Sequence, residues 1–300
     1  MKKKTYLFAL MAMALTLGSC SDNENGIGGE TSKYITVSTS IGNMTRVATD
    51  ANGGQTFEEG DEISVYAWTG DATVAPETRE RVVNNAINKL TNGSWVSTPQ
   101  MLWKNNRDKH YFIGVYPISA ISDLSAGEYT FDETKQVESD LLVAVNKDGL
   151  SYNVDEQQPV PLTFTHVMAK LVVNLTYKNQ WGGIPTVEKV VVGNAAKEAT
   201  INYLTKVVTP STTAKEDFSL PEITENTKYV SVIIPQEDVK QLTIVIGGKN
   251  FVYDNGTPFK LESGKITTVN LEVGRDEIKL GDVKITDWEN GSTFSGEALN

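Results

Sequence analysis

The residues of this 300-residue chain whose types could carry chemistry are two histidines, one cysteine, five tryptophans and a short run of carboxylates. His110 and His166 each sit beside an apolar run, with no cysteine or second histidine at metal-ligand spacing. They read as core or strand-edge histidines. Glu58-Glu59-Gly60-Asp61-Glu62 concentrates acid, and facing carboxylates could hydrolyse glycosides. Neighbours in one turn do not face each other, so the run reads as a solvated surface. Asp50-Ala51-Asn52-Gly53 is too short for a calcium loop. The chain has no Gly-x-Ser-x-Gly elbow, phosphate loop or His-Glu-x-x-His. No catalytic, metal or cofactor residue is therefore assigned. Trp68, Trp95, Trp103, Trp181 and Trp288 could stack sugar rings if exposed, or fill cores if buried; the sequence leaves both open.

The cysteine has a different use. Lys2-Lys3-Lys4, the mostly apolar run Tyr6 to Leu17 and the small residues Gly18-Ser19 make a secretory signal peptide over 1–19. The run is too short for a permanent membrane span. Leu17-Gly18-Ser19-Cys20 resembles the lipobox of bacterial lipoproteins, which implies that Cys20 is diacylated and becomes the mature N-terminus. A lipidated cysteine cannot be a nucleophile, metal ligand or disulfide half. Removal of the three leader lysines takes the formal charge three units below −11. Such an acidic chain has no electrostatic footprint for nucleic acid. Residues 20–32 are polar, acidic and Gly-rich, a flexible tether. Their acidic residues also resemble the surface-export signals of Bacteroidetes lipoproteins.

The elements beyond the tether are strands. Tyr34 to Ile41 alternates with period two and is rich in β-branched residues. Ile63–Trp68, Tyr111–Tyr116, Asp140–Val145, Lys170–Thr176, Val187–Val192, Tyr229–Ile234, Leu242–Ile246, Asn250–Tyr253 and Lys265–Val273 continue the series. Residues 79–90 also carry a helical stripe, but Asn92-Gly93 is a hairpin turn and favours a strand ending near Leu90. Lys170–Thr176 echoes Tyr34–Ile41, and Tyr229–Pro235 echoes Tyr111–Pro117. A weak internal duplication follows, with a boundary near 158–162. The expected fold is all-β, with two tandem β-sandwiches over 33–160 and 161–300. Val283 and Ile285, in the tail after Leu280, would share one face of a strand.

The lipobox, Thr45-Arg46 after the first strand and Thr56–Tyr66 form part of a larger set. Ser139–Ala144, Pro161–Leu171, Ile234-Pro235-Gln236 and Ile285–Gly291 complete it. Together, in order and over nearly the whole chain, these stretches resemble the fimbrillin-like proteins of Bacteroidales, the type V pilus group. The resemblance implies transthyretin-like sandwiches, export as an outer-membrane surface lipoprotein, other fimbrial subunits as partners and adhesion to a host or bacterial surface ligand. It also implies a mechanism. An arginine-specific protease cuts the loop after the first strand, the strand leaves, and a neighbour's strand fills the groove. Arg46 matches the cut and Tyr34–Ile41 the departing strand. A C-terminal strand is the donor in polymerising relatives, which makes Val283 and Ile285 candidate donor contacts. The alternative is that the tail packs on its own second domain. A different reading of the whole chain is a surface glycan-binding lipoprotein, marked by a coplanar exposed row of tryptophans.

Overall fold

Alternating, β-branched segments become strands throughout the computed structural model, which describes residues 33–42, 57–136, 138–153, 158–254 and 256–288. The all-β expectation is met, with two single turns of 3-10 helix beside the strands among the described residues. Strands β1 (Val37–Ile41), β2 (Glu62–Thr69), β3 (Arg81–Thr91), β4 (Ser94–Thr98), β5 (His110–Tyr116), β6 (Gly127–Thr130), β7 (Leu142–Leu150) and β8 (Val160–His166) come first. All but β6 form one seven-stranded sheet in the order β1-β8-β7-β5-β2-β3-β4. Residues 79–90 resolve in favour of a strand. Asn92 and Gly93 take φ of 51° and 73° and set Leu90 opposite Trp95 across the hairpin. Side chains with left-handed backbone at both central positions match the twist of paired strands.

β2 is apolar almost without interruption because both of its faces are buried. Ile63, Val65 and Ala67 enter one cluster with Ile35, Val37, Phe112, Leu142, Ala144, Leu162 and Phe164. Tyr66 and Trp68 enter a second cluster on the opposite face. The sheet curls around the first cluster until its two ends meet. Gly114 on β5 lets this happen: a Cβ there would stand 2.6 Å from Cζ of Phe164.

The chain continues through β9 (Ala169–Tyr177), β10 (Lys189–Ala196), β11 (Glu198–Asn202), β12 (Val207–Pro210), β13 (Lys215–Ser219), β14 (Glu222–Thr224), β15 (Lys228–Ile233), β16 (Gln241–Ile246), β17 (Lys249–Asp254), β18 (Lys265–Val273) and β19 (Ile278–Asp287). They form a five-stranded sheet β14-β15-β9-β18-β19 and a four-stranded sheet β13-β10-β16-β17. A third sheet, β12-β11-β6, joins the halves, because β6 pairs with β11. In each half the first strand runs parallel to a late one, β1 to β8 and β9 to β18. The second core cluster runs from Tyr66 to Trp288 and includes residues of both halves. All described residues belong to one compact unit, Lys33–Asn300. The 160/161 boundary read from the sequence falls at the start of β8, which pairs with β7 and β1.

Candidate functional site

β1 is an end strand that is nevertheless paired on both sides. On one side it runs parallel to β8, Val37 opposite Val160 and Ile41 opposite Phe164. Val160 N–H donates to Thr36 O at 2.8 Å, and Gly42 N–H donates to Phe164 O at 2.8 Å. On the other side its leading residues meet an irregular segment. Ile35 N–H donates to Met101 O at 2.9 Å, and Trp103 N–H donates to Lys33 O at 3.1 Å. Further along, the Trp95 indole N–H from β4 donates to Thr39 Oγ1 at 3.0 Å. The strand therefore lies in a slot between the two ends of the curled sheet.

The side chains follow period two. Ile35, Val37 and Ile41 are 1%, 6% and 8% exposed and enter the first core cluster. Burying three such aliphatic side chains is worth roughly 5–9 kcal/mol before ordering costs. An empty slot would leave those pockets and the paired N–H and C=O groups of β8 and 101–103 to water. The far end of the slot is closed by Phe57, whose ring packs edge-on against Trp95, Tyr116 and Phe164 with centroids 5.1–5.4 Å apart. The chain after Phe57 is fastened separately. Glu58 N–H donates to Asp61 Oδ2 at 2.7 Å, and Gly60 N–H to Leu90 O at 2.9 Å. Cys20, the leader, the tether and Arg46 lie outside the described residues.

Val283 and Ile285 lie on β19, which pairs antiparallel with β18 at the edge of the five-stranded sheet. Both point to the face that carries Thr267 and Val269 yet remain 40% and 38% exposed. Among the described residues of β19 and just beyond it, Trp288 is the one that is well buried; its backbone N–H donates to Gly264 O at 2.9 Å. The structure thus places Val283 and Ile285 together and Arg46's neighbour strand elsewhere, within a different sheet.

A sequence profile described as Fimbrillin-like matches residues 45–288. The chain belongs to the fimbrillin-like family. A curated relative from Bacteroides uniformis, named "Putative fimbrium subunit Fim1C", is 25% identical over 99% of this chain and 100% of its own length. Two solved structures share the fold, each titled a "putative cell adhesion protein". The one from Bacteroides ovatus covers 85% of this chain and 98% of its own at 18% identity and a TM-score of 0.64. The one from Bacteroides uniformis covers 86% and 100% at the same identity and score. Membership makes this fimbrillin-like protein a fimbrial building block that associates with other fimbrial subunits at the cell surface.

The histidines, the acidic run and the tryptophans of this fimbrillin-like protein are built into its fold. His110 is fully buried: its Nδ1–H donates to Asp108 O at 3.0 Å, and its Nε2 accepts from Lys104 N–H at 3.0 Å. Burial pushes its pKa down. His166 Nδ1 lies 2.8 Å from Asp140 Oδ1, and its ring stacks on Trp288 at 4.0 Å and 5°. In the acidic run, Glu59 caps Asn92 N–H at 2.7 Å, Asp61 caps Glu58, and Glu62 pairs with Lys89 at 3.1 Å. None of the five tryptophans is exposed, so the coplanar exposed row that would mark glycan binding is not formed. Among the described residues no three His, Cys, Asp or Glu are grouped to hold a metal ion, and no helix is long and apolar enough to cross a membrane.

Sequence reading missed the second wall of the slot, the Trp95 bond to Thr39 and the seat of Trp288. That seat also holds the ammonium of Lys170, 5.1 Å over the indole. No local signal marked any of the three.

Proposed function

We propose that this protein is a fimbrial subunit in which β1 is a replaceable strand. Cleavage after Arg46 by an arginine-specific protease would free Lys33–Gly42, and a strand from another copy would take the vacated place. The observation that carries the reading is the seating of β1: a strand with alternate aliphatic residues buried, held by backbone bonds on both sides, and followed in the chain by the segment that contains Arg46. Backbone pairing supplies affinity in such strand addition, and alternate side chains set register. The asymmetry at the two ends of that segment supports it. Phe57 and the capped turn after it fasten the downstream end to the sheet, whereas the upstream end is held by β1 itself. We propose further that Cys20 carries a diacyl anchor in the outer membrane, and that Val283 and Ile285 are the exposed contacts of a donor strand. The chain would build as two β-sandwich lobes, divided after β8 rather than at 160/161, since β8 pairs with β7 and β1 of the first lobe, and tied by the β6–β11 pair. A surface ligand for adhesion completes the reading.

Purified mature protein treated with an arginine-specific protease should form polymers visible by electron microscopy, and Arg46→Lys should not. Polymers from Arg46→Lys, or none from the cleaved wild type, would overturn the reading.

A further inference from the structure

We propose that Trp95 is the residue that reads the strand in the slot, and that any strand taking the place of β1 must bring a hydrogen-bond acceptor at the Thr39 position. The proposal rests on the strand-exchange reading above and adds to it a selection rule. Main-chain bonds from Val160, Gly42, Ile35 and Trp103 are made by any backbone. The pockets of Ile35 and Val37 take any aliphatic side chain of suitable size. Ser40 Oγ and Thr163 Oγ1, 3.2 Å apart, are an exposed pair on the other face; two hydroxyls can exchange roles and be replaced by water.

The Trp95 contact is different. An indole N–H is a donor only, so it has no way to satisfy an incoming donor or an aliphatic group. Its ring is held edge-on against Phe57 at 5.3 Å and 82°, and Leu90 lies opposite it across the hairpin. The N–H is thus aimed at the inner side of position 39, 3.0 Å from the Thr39 hydroxyl oxygen. Loss of β1 leaves that donor to water, and a strand with valine or leucine there covers it without giving it a partner. The slot therefore selects the pattern aliphatic-x-aliphatic-x-acceptor, set by Ile35, Val37 and Thr39.

The chain carries that pattern twice in its last strand. Ile278, Leu280 and Asp282 make one copy, and Val283, Ile285 and Asp287 the next. The match covers three of the four inward positions, since Lys284 or Glu289 would stand where Ile41 does. The second copy contains the two aliphatic residues that β19 leaves exposed. The partner this slot fits is accordingly a second copy of this chain, whose β19 would part from β18 and give up the Lys265–Asp287 ion pair to offer Val283–Asp287.

The test uses the full mature chain, cleaved with the arginine-specific protease, and fluorescent peptides offered in trans. The peptides span residues 33–42, as wild type and Thr39→Val, and 281–290, as the pair Asp287→Thr and Asp287→Val, uncharged at that position, because a carboxylate would add its own desolvation cost. Wild-type protein should take up each acceptor-bearing peptide about tenfold more tightly than its valine counterpart. Trp95→Phe keeps the aromatic packing and removes the N–H, and should take both members of each pair equally. Discrimination that persists in Trp95→Phe, or is lacking in wild type, overturns the proposal. Uncleaved protein supplies an independent arm. Thr39→Val should lower the urea midpoint in wild type and leave it unchanged in Trp95→Phe; additive losses overturn the proposal. If no peptide enters, strand exchange fails, while this second arm still decides whether Trp95 reads position 39.

Discussion

Ile35→Ala offers the sharpest perturbation of β1 that leaves the rest of the sheet intact. Ile35 is 1% exposed and packs in the cluster enclosed by the seven-stranded sheet. Truncating a buried isoleucine to alanine costs about 2–5 kcal/mol, from lost transfer energy and the cavity left behind. Taking about 3 kcal/mol, local opening of β1 becomes roughly 150-fold more frequent at 25 °C. The loss should be local, because β1 ends the sheet and its bonds are peripheral to β2 and β5. The assay is amide hydrogen exchange. Val160 N–H, which donates to Thr36 O, and Trp103 N–H, which donates to Lys33 O, should exchange much faster in the variant. Amides of β16, in the four-stranded sheet, should keep their wild-type rates. Val252→Ala, at a 49% exposed position, serves as control and should change nothing by more than about 0.5 kcal/mol. Equal acceleration in β16 and at the slot would refute the reasoning, since β1 would then be integral to global folding rather than a separable strand. So would a cost at the slot below about 1 kcal/mol.

Three further outcomes are expected. Burial lowers the pKa of Lys170 to about 8, against the pull of Asp140, with Lys228 adding to the lowering. The unfolded chain then holds the extra proton between about 8 and the ordinary lysine value, so stability contributed by this site rises with pH across that window, by roughly 3 kcal/mol. Lys170→Met should remove the rise, and superimposable wild-type and variant pH profiles in urea melts would contradict it. Gly127→Ala places a Cβ 2.5 Å from the Tyr203 ring, so it should weaken the β6–β11 pairing and lower the melting temperature by several degrees; an unchanged melt means the junction is slack. Cys20→Ala should release the protein from the membrane fraction, because stable anchoring needs two acyl chains, and an unchanged membrane pool argues against lipidation.

What could be read in advance was local. Period-two alternation located β1 and β9, short apolar runs bounded by turns or proline located β2, β5 and β15, β18 read as a strong strand, and Asn92-Gly93 outweighed the helical stripe of residues 79–90. Turn chemistry and alternation act over a few residues, so they leave a mark in the sequence. The pairing of β1 with β8 joins residues more than a hundred positions apart, and Trp95 meets Thr39 across 56 positions. Such contacts depend on how the sheet curls, which no single segment encodes. Met101–Trp103 was illegible for another reason: it serves the slot through backbone groups that every residue has. The continuity of the core between halves was hidden too, because β2 reads as an ordinary buried strand and its burial on two faces shows only once both clusters exist. The rule at position 39 was visible as sequence in Ile35, Val37 and Thr39 but had no meaning until Trp95 was placed beside it.

The composition of the assembled polymer tests the central claim most directly. Polymers formed after arginine-specific cleavage would be isolated under native conditions and then denatured for mass spectrometry, with hydrogen exchange of Val160 measured on the same sample. The account predicts that the fragment ending at Arg46 is absent while the Val160 amide stays protected, because another copy's strand fills the slot. Polymers that retain the fragment in equal amount, or that lack it with Val160 exposed to exchange, would contradict it.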